Sequence, residues 1–360
     1  MSTVALLRTS HENETPPMLE TASATKGSPE TTPKEGEGLA ALPASPFARF
    51  SRFLPTGFEP VSALKSLVAP LAGIVIFLSL WAVLAPKVDT SLGALPGPIE
   101  VAEQGGALYD DFLASQDSKR QFYADQDARN ATLPEAQRNY FEYAGSPTFL
   151  DQILTSLKTV ALGFILATLV AVPLGLVCGL SKGVNAAINP LVQIFKPVSP
   201  LAWLPIVTMV ISATMSGPDP VLPKSFVISA IVVMLCSLWP TLINTAVGAA
   251  SIDKGLLNVG KVLRLGWFAR LTKLVLPSSL PYIFTGMRLS LGVGWMVLIA
   301  AEMLAQNPGL GKFVWDEFQN GSSQSLARIM FAVIVIGIIG FLLDRMMGAF
   351  QALASRNHQA

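Results

Sequence analysis

The chain has 360 residues, a net charge of +1 and a mean hydropathy of +0.51. Hydrophobic residues make up 51% of the sequence and charged residues 14%, whereas about a quarter of the residues in a soluble domain are charged. This balance predicts a polytopic membrane protein, and the near-neutral charge gives no reason to expect a nucleic-acid partner. Cys178 and Cys236 lie within apolar runs, so we expect buried thiols rather than a disulfide or a metal site.

The beginning of the chain differs from the rest in composition. It is rich in Ser, Thr, Pro, Glu and Gly and holds little that a core could bury, which predicts a disordered extension over residues 1–50. It also lacks the apolar stretch of about 7 to 15 residues that a secretory signal requires. We therefore expect a cytoplasmic extension followed by a transmembrane domain over 60–350.

Six apolar runs follow, and each is long enough for the roughly 20 residues that cross about 30 Å of hydrocarbon. The candidate spans are 64–85, 153–180, 188–215, 225–250, 279–305 and 326–347. Four prolines interrupt the third run: Pro190, Pro197, Pro200 and Pro205. The sequence therefore predicts an all-α membrane protein with about six transmembrane helices.

The loops between these runs differ in charge. The loop over 251–277 carries five Lys and Arg residues against one acid, Asp253, whereas the loop over 87–152 is rich in Asp and Glu. The positive-inside rule then predicts that 251–277 and both termini are cytoplasmic and that 87–152 lies outside. Aromatic residues alternate with charges in the outer loop, which favours one or two amphipathic helices that serve either as a solvated spacer or as a contact for an external partner.

The cytoplasmic loop has apolar residues at helical spacing with basic residues between them. Leu256, Val259 and Val262 begin this pattern and Leu263, Leu265 and Phe268 continue it. Such a basic amphipathic helix either lies on anionic lipid headgroups or enters a groove on a partner protein. Periodicity alone does not decide between these two interpretations.

The stretch LPSSLPYIFTGMRLSLGVGW (276–295) resembles the closing half of the coupling signature of ABC-importer permeases. Pro277, Pro281, Gly286 and Arg288 carry this resemblance. At the start of the signature, residues 258–260 read Asn-Val-Gly in place of the usual Glu-Ala-Ala, and Gly266 stands two positions later than the usual glycine.

Three further stretches extend the resemblance over about 60–350. LPGPIEVAE (95–103), PLVQIFKPVSPLAWLPIVTMV (190–210) and WMVLIAAEMLAQNPGLGKFVWDEFQ (295–319) are similar to permeases for nitrate, taurine, aliphatic sulfonates and bicarbonate. Together these stretches resemble most the nitrate/nitrite branch, which also includes bicarbonate and cyanate importers. The resemblance implies a type I ABC-importer permease fold in the bacterial inner membrane.

The resemblance also implies partners. Two copies of the chain would form the pore in the lipid bilayer, with two cytoplasmic ATPase subunits and an external substrate-binding protein. The residues expected to contact an ATPase are Leu256, Val259, Val262, Leu263, Arg264, Leu265, Gly266 and Phe268. The sequence contains no G-x-x-x-x-G-K-[ST] loop for ATP phosphates, and the nearest string, GLGKF (309–313), lacks its spacing and its hydroxyl.

Polar residues within the apolar runs are the candidates for a translocation path. They are Ser199, Trp203, Thr208, Thr241, Asn244, Arg288 and Glu302. Helix packing is the alternative role for the neutral ones. Arg288 could instead reach the interface or bond helix-end carbonyls, and Glu302 could brace an outer gate by pairing with another span or a backbone amide.

Two other classes of function fit less well. A secondary transporter driven by an ion gradient would predict paired intramembrane acids and an inverted repeat, and neither is evident in the sequence. A membrane enzyme would need a catalytic cluster, yet His11 and His358, the two histidines, lie in the terminal tails. We therefore expect no catalytic residue, cofactor or metal, and a permease most similar to nitrate importers, with bicarbonate, cyanate or a sulfonate as alternative substrates.

Overall fold

A computed structural model of the chain describes residues 60–90, 93–215, 222–322 and 324–356. The chain divides into a first unit, residues 1–67, and a second unit, residues 68–360. The extension expected over 1–50 lies outside the described residues. Within the first unit only 60–67 are described, and every contact reported below lies within the second.

Within the part of the chain that the structure describes, five helical segments are long and apolar enough to cross a membrane. They are α1 (Pro60–Leu84), α3 (Phe149–Leu180), α6 (Lys224–Ala250), the continuous run Trp267–Ala305, and α11 (Ser325–Arg356). The predicted first, second and fourth spans agree with α1, α3 and α6 to within four residues. The helical run around the predicted fifth span begins earlier than expected, because the chain is already helical from Trp267 onwards.

The predicted third span, 188–215, is not one straight helix. Its residues form α4 (Lys182–Phe195) and α5 (Pro200–Thr214), which meet at an angle of 102°. The break falls at Pro197 and Pro200, because a proline disfavours helical backbone in the residue before it; Ser199 accordingly has an extended ψ of 140°. At about 1.5 Å per residue, each helix extends only about 21 or 22 Å. The described residues therefore hold five candidate spans, or six if the bent pair counts as one.

Helix α6 occupies the centre of the bundle, between α3 and α9 (Leu276–Ala305), the main part of the fifth run. Gly175 shows how closely α3 approaches α6. A Cβ at this position would lie 2.7 Å from Thr245 Cβ and 2.8 Å from the Leu242 carbonyl oxygen. Glycine is required here because small residues let membrane helices pack backbone to backbone.

The predicted outer loop contains one long helix. Helix α2 (Pro98–Ala131) follows a two-stranded antiparallel hairpin, β1 (Asp89–Thr90) and β2 (Gly93–Ala94), in which Asp89 pairs with Ala94. The segment after α2 folds back on it: Gln126 exchanges two hydrogen bonds with the Phe141 backbone, at 3.0 and 2.6 Å. Most of α2 is exposed, so this segment is a surface feature beside the bundle.

Candidate functional site

The coupling segment begins with a short helix that is capped at both ends. In α7 (Lys254–Val262), the Asp253 carboxylate accepts hydrogen bonds from Gly255 N and Leu256 N. The helix ends in a Schellman motif, in which Leu265 N donates to the Gly260 carbonyl at 3.0 Å and Arg264 N to the Lys261 carbonyl at 2.9 Å. The two caps fix the length of α7 and the direction in which the chain leaves it.

Arg264 closes this turn with a φ of 47°. Glycine adopts such left-handed backbone without strain, whereas a side chain crowds the neighbouring carbonyl. The usual glycine of the permease signature falls at position 264, two residues before Gly266. The geometry of the turn therefore gives a physical reason for glycine in the signature, and in this chain arginine adopts the strained conformation.

The prediction of one continuous amphipathic helix in the loop 251–277 is wrong, because this turn divides the segment. After the turn, α8 (Trp267–Arg270) leads through a π-helical turn, Leu271–Val275, directly into α9. Leu271 packs against a buried cluster that includes Val275. Leu274 lies against Gly260, where a Cβ would come within 2.7 Å of Leu274 Cδ1. The second half of the predicted helix thus belongs to the bundle.

We call five exposed apolar side chains of the segment the apolar ridge: Leu256, Val259, Val262, Leu263 and Phe268. Val262 is 81% exposed, Leu263 65% and Phe268 70%. Leu265 is half-buried, whereas Arg264 and Gly266 are exposed. An exposed apolar surface of this kind indicates a binding surface, for lipid or for another protein.

Sequence periodicity did not single out Trp267, which is 59% exposed. Together with Lys261 and Arg270 it lines a cleft of 340 Å³ against the end of α3. We call this the basic cleft; its other lining residues are Val177, Leu180 and Ser181. The proximity could not be read from the sequence, because it depends on the turn at Arg264 that brings α8 back beside α7.

The candidate path residues of the bent pair lie near its break. Ser199 caps α5, since its hydroxyl accepts a hydrogen bond from Leu201 N at 3.3 Å. Trp203 packs against Phe195, with ring centroids 5.7 Å apart, and its Nε1 is buried without a hydrogen-bond partner among the described residues. Thr208 is half-buried one turn and a half further along α5.

Thr241 and Asn244 lie where α6 crosses α9. Thr241 is fully buried, and Ser290 of α9 bonds to it twice: Thr241 N donates to Ser290 Oγ at 3.0 Å, and the two hydroxyl oxygens are 2.7 Å apart. Ser290 Oγ in turn donates to the Ser237 carbonyl at 2.5 Å. Asn244 Nδ2 donates to the Pro240 carbonyl at 2.8 Å. Thr241 and Ser290 therefore connect α6 to α9, whereas the hydrogen bond of Asn244 stays within α6.

Arg288 forms an ion pair that the sequence analysis did not anticipate. Its Nε and Nη2 contact the two carboxylate oxygens of Asp344 in α11, each at 2.6 Å. Both side chains are 43% exposed. Arg288 is thus engaged with a carboxylate, a partner that neither the path role nor the interfacial or carbonyl-bonded alternative included.

Glu302 is fully buried and lies at the centre of a hydrogen-bond network. Ser156 Oγ, on α3, lies 2.9 and 2.8 Å from its two carboxylate oxygens. Gly311 N donates to Glu302 Oε2 at 3.0 Å and Asn307 Nδ2 to Oε1 at 3.4 Å. Leu310 N donates to Ser156 Oγ at 2.8 Å. The carboxylate thereby joins α9 to α3 and to the first turn of α10 (Leu310–Asn320).

Two further observations concern the space around Glu302 and the possibility of a metal site. A Cβ at Gly309 would overlap the Glu302 carboxylate, so the loop between α9 and α10 fits closely around this group. Across the described residues, no group of three or more His, Cys, Asp and Glu side chains is arranged to hold a metal ion.

Comparison with known proteins agrees with the resemblance seen in the motifs. The nitrate import permease protein NrtB of Synechococcus elongatus is 31% identical over 281 residues, 78% of this chain and 87% of that protein. Its counterpart NrtB of Synechocystis sp. is 32% identical over 299 residues, 82% of this chain and 92% of that protein. The bicarbonate transport system permease protein CmpB of Synechococcus elongatus is also 32% identical, over 298 residues, 82% of this chain and 91% of that protein.

The family assignment rests on both halves of the chain. Residues 171–356, just over half of the chain, match the family described as binding-protein-dependent transport system inner membrane component. This match includes α4 to α11, with the coupling segment. The similarity to the nitrate and bicarbonate permeases covers about four fifths of the chain. The chain belongs to the permease family of binding-protein-dependent ABC importers, the inner-membrane components of these transport systems.

Proposed function

We propose that this chain forms the pore of an ATP-driven importer for a small planar oxyanion, with nitrate or nitrite as the first candidate. The observation that carries the proposal is the similarity, over at least 87% of their lengths, to permeases named for nitrate and for bicarbonate. Nitrate and bicarbonate are both planar monoanions with three oxygens. A path that admits either needs hydrogen-bond donors at a similar spacing.

Energy would come from separate ATPase subunits. The sequence has no phosphate-binding loop of its own, and the apolar ridge offers a surface that an ATPase groove could cover. We infer that α7 and the turn at Arg264 transmit the movement of the ATPases, because the π-helical turn and α9 follow without a break. The excess of Lys and Arg over 251–277 supports a cytoplasmic position for this segment and for both termini.

The remaining partners follow from the family. Binding-protein-dependent importers receive substrate from an external protein, which we propose docks on the side of the membrane where α2 lies. Exposed apolar side chains on α5, such as Ile206, Met209 and Val210, fit a contact with lipid or with a second copy of the chain, and we propose a pore of two copies.

For the path itself we favour the bent pair α4–α5. Trp203 Nε1 is a buried donor without an acceptor among the described residues, and it can donate to an oxyanion without giving up an existing bond. Arg288, Glu302 and Thr241, in contrast, already have partners. Trp203→Phe removes the N–H donor, together with one ring of the indole. It is expected to raise the KM for transport while the protein level in the membrane stays unchanged, and an unaltered KM would argue against this path.

The experiment that tests the function measures uptake in cells that lack the gene. Loss of labelled nitrate uptake, with recovery when the chain is supplied again, is the expected result. Bicarbonate is the second candidate because CmpB is as similar as NrtB, so labelled bicarbonate is measured in the same cells. If the deletion changes the uptake of neither anion while its ATPase and binding protein are produced, the planar-oxyanion proposal is wrong.

A further inference from the structure

The basic cleft combines three kinds of surface in one place. Lys261 and Arg270 supply two positive charges, Val177 and Leu180 form an apolar wall, and Trp267 lies at the edge. Val177 and Leu180 belong to the last turn of α3 and are 36% and 38% exposed. The wall is therefore continuous with the apolar surface of a membrane-spanning helix.

The two cations have no acidic partner. Among the described residues neither Lys261 nor Arg270 pairs with a carboxylate, and no acidic residue lines the cleft. The one acid in the segment 251–277, Asp253, caps α7. The cleft thus carries uncompensated positive charge beside apolar surface.

Packing holds one of these cations in position. The aliphatic part of Arg270 lies against Gly260, where an added Cβ would be 3.6 Å from Arg270 Cδ and 3.7 Å from Cγ. Arg270 and Lys261 line the same cleft, so this contact helps to hold the guanidinium there. The strained turn at Arg264 is what makes this approach of α8 to α7 feasible.

We propose that the basic cleft binds the headgroup of an anionic phospholipid, with one acyl chain along the wall formed by Val177 and Leu180. Phosphate oxygens would accept hydrogen bonds from Lys261 and Arg270. Trp267 fits such a site, because the amphipathic ring of tryptophan is favoured at the level of the lipid headgroups. A free phosphate could use the two cations but would gain nothing from the apolar wall.

The sequence left two roles open for the segment, contact with lipid headgroups and contact with a partner protein. This inference assigns each role to a different surface. None of the five residues of the apolar ridge lines the basic cleft, so the ridge can contact an ATPase while the cleft holds a lipid. The inference does not depend on the substrate of the importer. A failure of the uptake experiment would leave it unaffected.

The test uses the full chain in nanodiscs of phosphatidylcholine and phosphatidylglycerol, with bromine on the acyl chains of one lipid at a time. The chain has six tryptophans, so the signal of Trp267 is the difference between the wild type and Trp267→Phe. Trp267 is expected to be quenched more strongly by brominated phosphatidylglycerol than by the same fraction of brominated phosphatidylcholine. Titrating the lipid ratio gives the relative affinity for the two headgroups.

Two variants and a control make the result specific. Each cation near a membrane surface contributes about a fivefold preference for anionic lipid, so Lys261→Gln with Arg270→Gln should lower the relative affinity by about 25-fold. Lys261→Gln alone should lower it about fivefold, and it keeps the Arg270 packing in case the double variant fails to fold. Lys273→Gln, an exposed lysine of the same segment outside the cleft, should change nothing.

Three results would overturn the proposal. Equal quenching by the two brominated lipids would show that the cleft does not select an anionic headgroup. Equal relative affinities for wild type and Lys261→Gln would show that the lysine has no part in selection. Reversal of the quenching by millimolar inorganic phosphate would identify a free anion, rather than a lipid, as the ligand.

Discussion

The guanidinium of Arg288 and the carboxylate of Asp344 form a two-pronged ion pair between α9 and α11, with both N–O distances at 2.6 Å. The planar guanidinium matches the carboxylate in a way that a lysine could not. Both groups lie within long apolar helices, where either charge alone would be expensive. The pair therefore fixes α11 against the helix that continues from the coupling segment.

Removing one member of this pair should destabilise the protein more than removing both. Arg288→Leu or Asp344→Leu leaves one charge without its partner and is expected to lower the melting temperature. The double variant should recover most of this loss, because no charge is left among apolar groups. Thermal unfolding of the purified chain in detergent measures the effect. Additive losses in the double variant would mean that the two groups do not interact.

Substitution of Glu302 should destabilise the protein. Glutamine at this position would point an NH2 group at Ser156 Oγ or at Gly311 N, and the loss of an acceptor for these buried donors costs about 1 to 3 kcal/mol. Gly309→Ala should be similarly destabilising, because its Cβ would overlap the carboxylate. The matched control is Glu103→Gln on the exposed surface of α2, which is expected to unfold like the wild type. Melting temperatures of Glu302→Gln, Gly309→Ala and Glu103→Gln measure these effects.

Replacing Arg264 with glycine should stabilise the protein, whereas most substitutions destabilise. Arg264→Gly relieves the strain of a φ of 47° and is expected to stabilise the turn, by about 0.5 to 1 kcal/mol. Arg264→Val should destabilise it, because a branched side chain fits left-handed backbone poorly. Protease cleavage within 251–277 measures the effect, with the expected resistance in the order Gly, Arg, Val. If valine protects as well as glycine, the turn does not have the geometry described.

The apolar ridge predicts a loss of assembly. Leu263→Asp would place an unpaired charge in the contact with an ATPase groove, at a cost of several kcal/mol, or at least about a 100-fold weaker complex. Asn258→Asp adds the same charge at an exposed position outside the ridge and should retain the ATPase. Co-purification of the subunits distinguishes the variants. If Leu263→Asp retains the ATPase as well as the wild type, the ridge is not the docking surface.

The sequence predicted those features that depend on local composition. Long apolar runs located α1, α3 and α6 closely, and the prolines located the interruption between α4 and α5. The 102° angle of the bend could not be predicted, because it depends on how Phe195 and Trp203 pack. The division of the coupling segment was missed, although the usual glycine of the signature at position 264 marks it.

The partners of the buried polar residues were beyond the reach of the sequence. Ser156 and Glu302 are 146 positions apart, and Arg288 and Asp344 are 56 positions apart. Hydropathy identifies such residues as exceptions within apolar runs but carries no information on which of them meet. Only the crossing of α3, α9 and α11 decides that.

Two glycines of α9 provide a comparison within one helix. At Gly286 a Cβ would lie 2.9 Å from Thr241 Cα and 3.1 Å from the Pro240 carbonyl oxygen, whereas at Gly292 nothing lies within 4 Å. Both residues lie well inside α9, so alanine should improve helix propensity equally at both, by up to about 1 kcal/mol. Gly286→Ala must also push α9 away from α6, and overpacking of this kind costs about 1 to 3 kcal/mol. We therefore expect Gly286→Ala to lower both the melting temperature and the transport rate. Gly292→Ala should leave the transport rate unchanged and the melting temperature unchanged or slightly raised. Equal behaviour of the two variants would show that α6 and α9 are not held at the separation described.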